Sequence, residues 1–406
     1  MKKALAFIVF ILFLAHGQNH PNSYSIEKIY DRWDGEYPLV FAVLGDNYSS
    51  TPIFRAFLEQ FNSTADSLVF LLTTGDHAAG GDSAGYANYL SAIDPLEVPV
   101  VSTMGNHEIN DSLGWDRFHT FFGSPDFYFD IGNARFIALT NCYPGPEPIS
   151  YGENVYYKFL PEQLDWLDSL LSNWEGFKFV SIHAPPYLEG HWIFATVGGV
   201  GSAPGRIASL TDRFTDILRD RDVYICFCGH VHTYDRWTAD NEQFGDVTYI
   251  VTGGGGISIM PVWPYDAPYG GGFYHYMVME LFEDGTMYGH IVRPDTFDDG
   301  VTTIEYDPDY EFVLEPPVGI RKVLDEFSLD ASIAYPNPFI SSIHISIPSE
   351  TDNAVIMDIC GRTIDRIHLA PGIREFVWKP ETVQNGVYFV HYGKKTRKIL
   401  YLGGTR

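Results

Sequence analysis

Five apolar segments of the sequence each end in a residue that can bind a metal ion. Alone, an Asp after a strand is more often a turn or helix-cap residue, and a lone His is more often a satisfied polar group. Two Asp, one Asn and three His at five such ends favour a shared site instead. The residues are Asp46, Asp76, Asn106, His183 and the pair His230 and His232.

This mixture of side chains suits a pair of divalent cations. A carboxylate can bridge two ions because it has two oxygens and about four lone-pair sites. Neutral imidazoles complete each coordination shell without adding charge, and an amide oxygen suits the same role. Two ions about 3.5–4 Å apart can bind both the attacking and the leaving oxygen of a phosphoryl transfer. The residue types therefore predict two-metal phosphoryl chemistry.

The elements that must position these residues read as alternating strands and helices. Apolar strands are predicted over 38–44, 68–74, 98–103, 177–182 and 223–228, with further strands over 247–251. Hairpins are predicted over 127–141 and 274–292, and helices over 52–61, 161–173 and 211–219. Such alternation predicts an α/β sheet covered on both faces. Open α/β sheets bind ligands at the carboxyl ends of their strands, where the six residues lie.

Three short motifs carry a family resemblance. They are Gly105-Asn106-His107-Glu108, Ser181-Ile182-His183-Ala184-Pro185-Pro186 and Gly229-His230-Val231-His232. Together, and in this order, they resemble the calcineurin-like metallophosphoesterases over roughly 38–294. The continuation Thr233-Tyr234-Asp235-Arg236 is similar to purple acid phosphatases. The resemblance implies a β-sandwich of two sheets flanked by helices, in agreement with the α/β pattern.

The resemblance assigns the six residues to two ions that share one carboxylate. Asp76 would bridge the ions, Asp46 and His232 would hold the first ion, and Asn106, His183 and His230 would hold the second. The ions would be divalent or trivalent, with Fe, Mn or Zn favoured.

The resemblance also implies a reaction. Asn106 and His107 would contact the phosphate, and His107, oriented by Glu108, would protonate the leaving group while a metal-bound hydroxide attacks phosphorus. The expected function is hydrolysis of small phosphate monoesters in the manner of an acid phosphatase. A phosphodiesterase or nucleotidase with the same metal site is an alternative. A non-catalytic surface binding protein that retains the fold is another.

Two positions depart from the family pattern. Many members have His two residues after the first Asp, where this chain has Tyr48. Purple acid phosphatases have Tyr three residues after the bridging Asp, where this chain has Ala79. A purple iron centre is therefore not expected. Asn47, Tyr48 and His77 are the candidates to complete the first metal site.

The N-terminus has the build of an export signal. Met1-Lys2-Lys3 is basic, 4–14 is apolar, and Ala15-His16-Gly17 offers small residues for cleavage. About 11 apolar residues are too few to span a bilayer, where about 20 are needed. A signal peptide over 1–17 is predicted, and a buried N-terminal helix is the alternative. Since no other stretch is long and apolar enough to cross a membrane, a secreted or cell-surface protein is expected.

Charge divides the 406-residue chain into separate parts. The net charge is −26, yet residues 18–324 carry −28 and residues 325–406 carry zero. The acidic balance disfavours nucleic acid and anionic membranes as partners. The predicted organisation is a catalytic domain over 18–315, a linker over 316–326 and a small all-β, Ig-like sandwich over 327–406.

The C-terminal segment has motifs of its own. Short alternating runs at 343–347, 355–358, 364–369, 375–378, 387–392 and 398–402 are separated by turn signals. Tyr335-Pro336-Asn337-Pro338-Phe339, Asp358-Ile359-Cys360-Gly361-Arg362, Asn385-Gly386-Val387-Tyr388-Phe389 and Lys394-Lys395-Thr396-Arg397-Lys398 resemble the type A sorting domain of type IX secretion. The resemblance implies that outer-membrane secretion machinery is a partner. An Ig-like structural or carbohydrate-binding module is the alternative.

Three further features have two interpretations each. Gly253–Gly256 reads as a tight turn near the site, with a phosphate cradle as the alternative. Cys226 and Cys228 share one face of a strand and read as core residues, with a disulfide or metal pair as the alternative. The Gly- and Pro-rich segment 185–205 reads equally as a substrate-covering lid or as a surface excursion.

Overall fold

The computed structural model of the chain describes all of the residues predicted to form the metal centre. The described ranges are 21–48, 51–145, 155–186, 208–238, 245–260, 270–293, 305–306, 310–317, 319–320, 334–335, 341–346, 353–358, 362–369, 375–380, 383–384, 386–392 and 395–401. The chain divides into two compact units, Met1–Arg321 and Lys322–Arg406. The proposed lid over 185–205 lies almost wholly outside the described residues, as does the predicted signal peptide.

The first unit alternates helices and strands. Its helices are α1 Asn22–Arg32, α2 Pro52–Ser63, α3 Ser83–Ile93, α4 Gly114–Phe121, α5 Pro161–Ser172 and α6 Ala208–Asp220, with short 3₁₀-helices at Ala65–Ser67 and His107–Ile109. Its strands are β1 Leu39–Leu44, β2 Phe70–Thr73, β3 Val100–Ser102, β4 Phe127–Ile131, β5 Ala134–Ala138, β6 Cys142–Pro144, β7 Val155–Tyr157, β8 Phe177–Ser181, β9 Ile225–Cys228, β10 Tyr234–Thr238, β11 Thr248–Thr252, β12 Gly270–Gly271, β13 Tyr276–Leu281, β14 Met287–Val292, β15 Glu305–Tyr306 and β16 Glu311–Leu314. The predicted strands and helices are all present, with ends shifted by a few residues.

The strands form two large mixed sheets. One sheet has the order β16-β14-β13-β1-β2-β3, in which β1, β2 and β3 are parallel neighbours. The other has the order β15-β12-β10-β11-β9-β8-β5-β4, in which β5, β8, β9 and β11 are parallel. Among the described residues β6 and β7 pair separately. The carboxyl ends of the parallel strands in each sheet thus lie at one edge.

Alternating side chains of β1 explain why the sheets pack as a sandwich. Phe41 stacks on Phe70 of β2 at 5.1 Å between ring centroids, and its ring lies 5.2 Å from that of Phe136 of β5 in the other sheet. The next residue, Ala42, points to the opposite face and joins a cluster with Phe57 of α2. The two sheets therefore bury aromatic side chains between them, and helices cover the outer faces. This confirms the predicted sandwich flanked by helices.

The outer face of the second sheet is likewise covered by helices. Leu164 and Leu167 of α5 and Phe214 of α6 pack in one cluster with Cys226 and Cys228 of β9. Both cysteines are buried and free, so they are core residues, as predicted. In the part of the chain that the structure describes, no helix is both long and apolar enough to cross a membrane.

The start of the predicted linker packs against the first unit. Strand β16 adds to the edge of the first sheet beside β14, and its pairing was not predicted from the sequence. Pro316, Pro317 and Ile320 follow it and are buried. A Cβ on Gly285 would lie only 3.1 Å from Pro316 Cγ, which shows how closely the chain passes. The chain thus stays packed on the first unit almost to Arg321, where that unit ends.

The second unit is all-β in its described residues. Its strands are β17 Ala334–Tyr335, β18 Ile343–Ser346, β19 Asn353–Asp358, β20 Thr363–His368, β21 Glu375–Trp378, β22 Gly386–Tyr392 and β23 Lys395–Tyr401. They form a three-stranded sheet β17-β18-β21 and a four-stranded sheet β20-β19-β22-β23. Ile345 and Trp378 from the first sheet share a core with Ile356, Val390 and Ile399 from the second. Two sheets with one core confirm the predicted small sandwich.

Candidate metal centre

The six metal-capable residues come together at the edge where five parallel strands end. Asp46, Asp76 and Asn106 follow β1, β2 and β3 in one sheet, and His183 and His230 follow β8 and β9 in the other. The first four of these residues are at most 1% exposed. His232 completes the group. The predicted residues at the five strand ends thus lie together, although the strands belong to two sheets rather than one.

The deeper half of the cluster, called here the second half, centres on Asn106. Its Oδ1 atom lies 2.8 Å from His183 Nε2 and 3.0 Å from His230 Nδ1. Asp76 Oδ1 lies 3.3 Å from the same His183 nitrogen. One ligand atom from each of Asp76, His183 and His230 lies within 4.8 Å of the others. Asn106 Oδ1 and the ligand atoms of these three residues therefore lie close together, as the second ion would require.

The other half, called here the first half, has fewer donors. His232 Nε2 lies 3.6 Å from Asp46 Oδ1. Ligand atoms of Asp46, Asp76 and His232 again lie within 4.8 Å of one another. Asp76 belongs to both groups, which is the geometry expected of a bridging carboxylate.

Backbone strain is concentrated in this centre. Among the described residues other than glycine, five have positive φ, and four of them are Asp46 (57°), Tyr48 (45°), Asp76 (59°) and His230 (69°). The left-handed region costs such residues about 1–3 kcal/mol each and is retained mainly at functional sites. The turns after β1, β2 and β9 thus direct the side chains of these residues toward the centre, and their conformation lowers local stability.

Two glycines make room for candidate ligands that follow other strands. A Cβ on Gly105 would lie 2.3 Å from Asp76 Oδ1, and a Cβ on Gly229 would lie 2.6 Å from Asp46 Oδ2. Both distances are shorter than van der Waals contact, so no larger residue fits there. The glycine before Asn106 therefore lets the carboxylate of Asp76 approach from the adjacent strand, and the glycine before His230 lets that of Asp46 approach from the other sheet.

Backbone carbonyls orient three of the histidine rings. The Nδ1 atom of His183 lies 2.8 Å from Thr74 O, and that of His232 lies 2.9 Å from Ser258 O. For His107, Nδ1 lies 2.9 Å from Ala79 O. A proton on each Nδ1 would be donated to the carbonyl, which leaves Nε2 directed at the cluster.

The charges of the buried groups fit a cation site. Burial raises the pKa of Asp46 well above its usual range, and the nearby Asp76 adds to the effect. Burial alone would lower the pKa of His183, but the charge of Asp76 raises it to about 10. For Asp76, burial is outweighed by His183 and His107, so its pKa is lowered. Burial lowers the pKa of His230 to about 3, so this ring is a neutral donor.

A buried carboxylate such as Asp46 gains most from a nearby cation. The pairing of carboxylate, amide and imidazole donors in two overlapping groups suits borderline divalent and trivalent ions. The residues present therefore fit two metal ions, with Asp46, Asp76 and His232 available to one and Asp76, Asn106, His183 and His230 available to the other.

Glu108 does not take the place that the sequence suggested. It was expected to orient His107, whose Nδ1 instead meets Ala79 O. The Glu108 carboxylate is fully buried and accepts hydrogen bonds from backbone amides of the turns after β2 and β3. His107 donates its own backbone N–H to Asp76 Oδ1 at 2.9 Å.

The three candidates to complete the first half are placed differently. His77 is 1% exposed, and its Nε2 lies 3.0 Å from Thr103 O while its ring stacks on Tyr89. Its Nδ1 lies 3.4 Å from Asn47 Nδ2, so this ring belongs to the interior. Tyr48, by contrast, packs its ring 4.5 Å from that of His107 and 6.4 Å from that of His232. Of the three, Tyr48 lies beside the first half.

The glycine run packs against the site as a turn. Gly255 donates its N–H to Gly45 O at 2.9 Å, and Ile257 donates to Asp46 O at 3.1 Å. These contacts support the turn interpretation of 253–256. Ser258, just beyond it, contacts His232, and sequence reasoning missed this role because any residue type can supply a carbonyl.

Comparisons with known proteins match parts of both compact units. A family model for calcineurin-like phosphoesterases matches residues 39–234, and one for a secretion system C-terminal sorting domain matches residues 333–400. A probable cyclic nucleotide phosphodiesterase of Synechococcus sp. is 25% identical over 164 residues, which are 40% of this chain and 57% of that protein. The match thus spans little more than half the length of this relative.

A solved structure shares the fold of this chain. A purple acid phosphatase from yellow lupin (Lupinus luteus) seeds is 14% identical with a TM-score of 0.54, over 71% of this chain and 56% of that chain. GAP50, the anchor in the inner membrane complex of Plasmodium, is 16% identical with a TM-score of 0.49, over 72% of this chain and 95% of that chain. The chain therefore carries a calcineurin-like phosphoesterase domain at residues 39–234, followed by a secretion system C-terminal sorting domain at residues 333–400.

Proposed function

We propose that the protein is a secreted two-metal phosphoesterase that hydrolyses phosphate monoesters. The observation that carries the proposal is the pair of donor groups that share Asp76. Two bound ions would supply Lewis acidity toward the phosphate and an activated water as nucleophile. The fold family supports ester hydrolysis at phosphorus, while the monoester preference is the finer part of the proposal.

His107 is the residue placed to move a proton. Its Nε2 lies 3.9 Å from Asp76 Oδ2, its side chain is 21% exposed, and Nδ1 is held by the Ala79 carbonyl. The ring is thus fixed at the accessible face of the cluster with Nε2 free to give a proton to the leaving oxygen. Asn106, the residue before it, has a side-chain amide that would contact a phosphate oxygen.

The charge of the first unit makes phosphate binding depend on metal. Residues 18–324 carry −28, which repels a phosphate ester. Two divalent cations would reverse the sign of the potential locally. We therefore expect metal-loaded protein to bind inorganic phosphate and metal-free protein to bind it poorly. Equal phosphate affinity in both forms would contradict this arrangement.

Activity on defined esters tests the proposal directly. Purified full-length chain would be freed of metal, reloaded with Mn, Fe, Zn or Mg, and assayed with aryl, alkyl and nucleoside monophosphates. Hydrolysis of monoesters together with two bound ions is the expected result. Absence of both binding and turnover with every metal would leave the non-catalytic alternative, a surface binding protein with the same fold.

Diester hydrolysis is a second candidate. It is favoured by the similarity to the probable cyclic nucleotide phosphodiesterase. Cyclic nucleotides and bis-aryl phosphates in the same panel separate the two functions, since a monoesterase would leave these diesters intact. A nucleotidase would show itself by preferring nucleoside monophosphates to simple aryl esters.

The place of action follows from the C-terminal domain. The sorting domain indicates type IX secretion and therefore export to the cell surface or medium. We propose that the N-terminal 17 residues direct the first export step and that outer-membrane secretion machinery recognises the tail. Mass determination of the N-terminus of exported protein tests the first step, because an intact Met1 would exclude cleavage there.

A further inference from the structure

Glu108 places its side-chain oxygens where four backbone amides converge. The residue has no exposed surface. Oε1 accepts from the N–H groups of His77 at 2.6 Å and Ala78 at 2.8 Å, and Oε2 accepts from those of Asp76 at 2.9 Å and Gly105 at 2.7 Å. Three of these amides are consecutive, and successive N–H groups that converge in this way form an anion-binding concavity. Here the anion is a side chain of the protein itself.

The concavity begins at the residue whose carboxylate both ions would share. Asp76 has φ 59°, a conformation that costs about 1–3 kcal/mol unless its surroundings enforce it. Its backbone amide meets Glu108 on one side, while Oδ1 on the other side lies 3.3 Å from His183 Nε2. Oδ1 also accepts from the backbone N–H of His107. Glu108 thus contacts the backbone of the turn, while the Asp76 side chain is directed at the other candidate ligands.

We propose that Glu108 is a positioning residue for the metal centre. Its carboxylate holds the turn at Asp76 in the strained conformation that directs the Asp76 carboxylate to both ions. Glu108 acts through Asp76 and so sets the affinity of both halves together. The consequence for turnover rests on the proposed phosphoesterase function, whereas the consequence for the Asp76 turn does not.

The substitution Glu108→Gln tests this role with little change in size. It replaces one acceptor oxygen by an NH₂ donor, which would face two of the four amide N–H groups. Loss of the hydrogen bonds that position a metal-binding residue weakens metal binding by roughly 10–100-fold. Calorimetric titration of metal-free protein with Zn²⁺ should show this loss for both ions. Wild-type affinity for both ions in E108Q would overturn the proposal.

A matched control separates positioning from general stability. Asp126 is another carboxylate held by a backbone amide, that of Thr140 at 2.7 Å, and it also accepts from Gln163. Asp126→Asn makes the same chemical change outside the centre and should leave metal affinity unaltered. An equal loss of affinity in both variants would show that Glu108 has only a structural role.

A second variant decides the matter if E108Q does not fold. Glu108→Asp keeps both oxygens but shortens their reach by one methylene, so it should fold and weaken both ions by less than Gln. Its cobalt(II)-loaded form should show shifted visible absorption bands, because the ligand geometry changes. Unchanged bands and wild-type affinity in E108D would overturn the proposal.

Hydrogen exchange separates this inference from the proposed function. In metal-free wild-type protein, the amides of residues 76–78 should exchange slowly, and E108Q should expose them. If the wild-type chain hydrolyses no ester, the phosphoesterase proposal fails while slow exchange still supports the role of Glu108. If the chain is active but these amides exchange equally fast in wild type and E108Q, only the inference on Glu108 fails.

Discussion

The two halves of the metal centre differ in how completely the protein has built them. In the second half, Asn106 Oδ1 approaches both His183 and His230 to 3.0 Å or less, and His183 is fully buried. In the first half, Asp46 and His232 are 3.6 Å apart, and the His232 side chain is 15% exposed. Counting the shared Asp76, one half offers four protein donors and the other offers three. The second half is therefore the preorganised one, and its ion should bind more tightly.

The difference suggests that one half serves tight binding of an ion and the other serves access of the substrate. Donors that are buried and mutually hydrogen-bonded lose little freedom when an ion binds, which favours affinity. The first half lies beside Tyr48 and His107 at the accessible face, where a substrate must arrive. With two ions bound, a centre of this kind would hold one ion firmly and leave the other open to ligands.

Replacing the shared carboxylate should abolish the difference between the halves. Asp76→Asn removes the only negative charge common to both donor groups, so both ions should be lost after dialysis. We expect kcat to fall by more than ~10³-fold, the upper range for removal of one electrostatic group from an active site. Metal analysis and ester hydrolysis measure both effects, with Asp126→Asn as the control. Retention of one ion would show that Asp76 serves a single half.

Replacing one histidine from each half should separate them. His183→Ala should abolish binding of the second ion. It should also lower the free energy of unfolding by roughly 1–3 kcal/mol, because buried partners of His183 are left unpaired. His232→Ala should remove the first ion with a smaller loss of stability than His183→Ala, since the His232 side chain is 15% exposed whereas His183 is fully buried. Metal stoichiometry and urea unfolding of the two metal-free variants test this. Equal destabilisation by both would mean that the halves are built alike.

Removing the proton donor should leave both halves intact. His107→Ala removes the ring that faces the cluster but no residue of either donor group. The variant should keep both ions and lose about 10²–10⁴-fold in kcat, the usual worth of a general acid. The loss should be smaller for esters whose leaving group needs no proton. An equal loss for good and poor leaving groups would count against proton donation by His107.

The sequence could predict the candidate ligands that the structure brings together, but only part of what supports them. Asp46, Asp76 and His230 each follow a glycine at the end of an apolar strand, a local signal that needs no knowledge of the fold. The Ala79 and Ser258 carbonyls carry no such signal, because every residue type supplies one. Strand β16 was not predicted for a related reason. Its four residues form a strand by pairing with the edge of β14, and this pairing has no signal in the local sequence.

Glu108 shows the same limit in a catalytic motif. Its position beside His107 suggested a contact between neighbours, but its partners are backbone amides more than 25 residues away in the chain and the amide of Gly105. Which amides converge depends on how β2 and β3 pair and on the left-handed turn at Asp76. The motif therefore singles out Glu108, but its contacts follow only from the tertiary structure.

The smallest expected effect is a gain in the first half. Tyr48 occupies the position where many family members have a metal-binding His, and its ring already lies 6.4 Å from that of His232. Its φ of 45° suits His, which tolerates the left-handed region better than most residues. Tyr48→His should add a donor to the three-donor half and tighten the first ion about tenfold, or ~1.4 kcal/mol. Tyr48→Phe is the matched control, since it keeps the ring and removes the hydroxyl.

Competition with a chelator measures this gain ion by ion. In the wild type, the first ion should leave at a lower chelator concentration than the second, and Tyr48→His should bring the two steps together. Tyr48→Phe should leave the steps apart if the hydroxyl is not a ligand, and separate them further if it is. Because the second half is untouched, its step should not move in either variant. A shift of that step would mean that the halves are coupled through Asp76, and the affinity of each ion would then depend on the occupancy of the other.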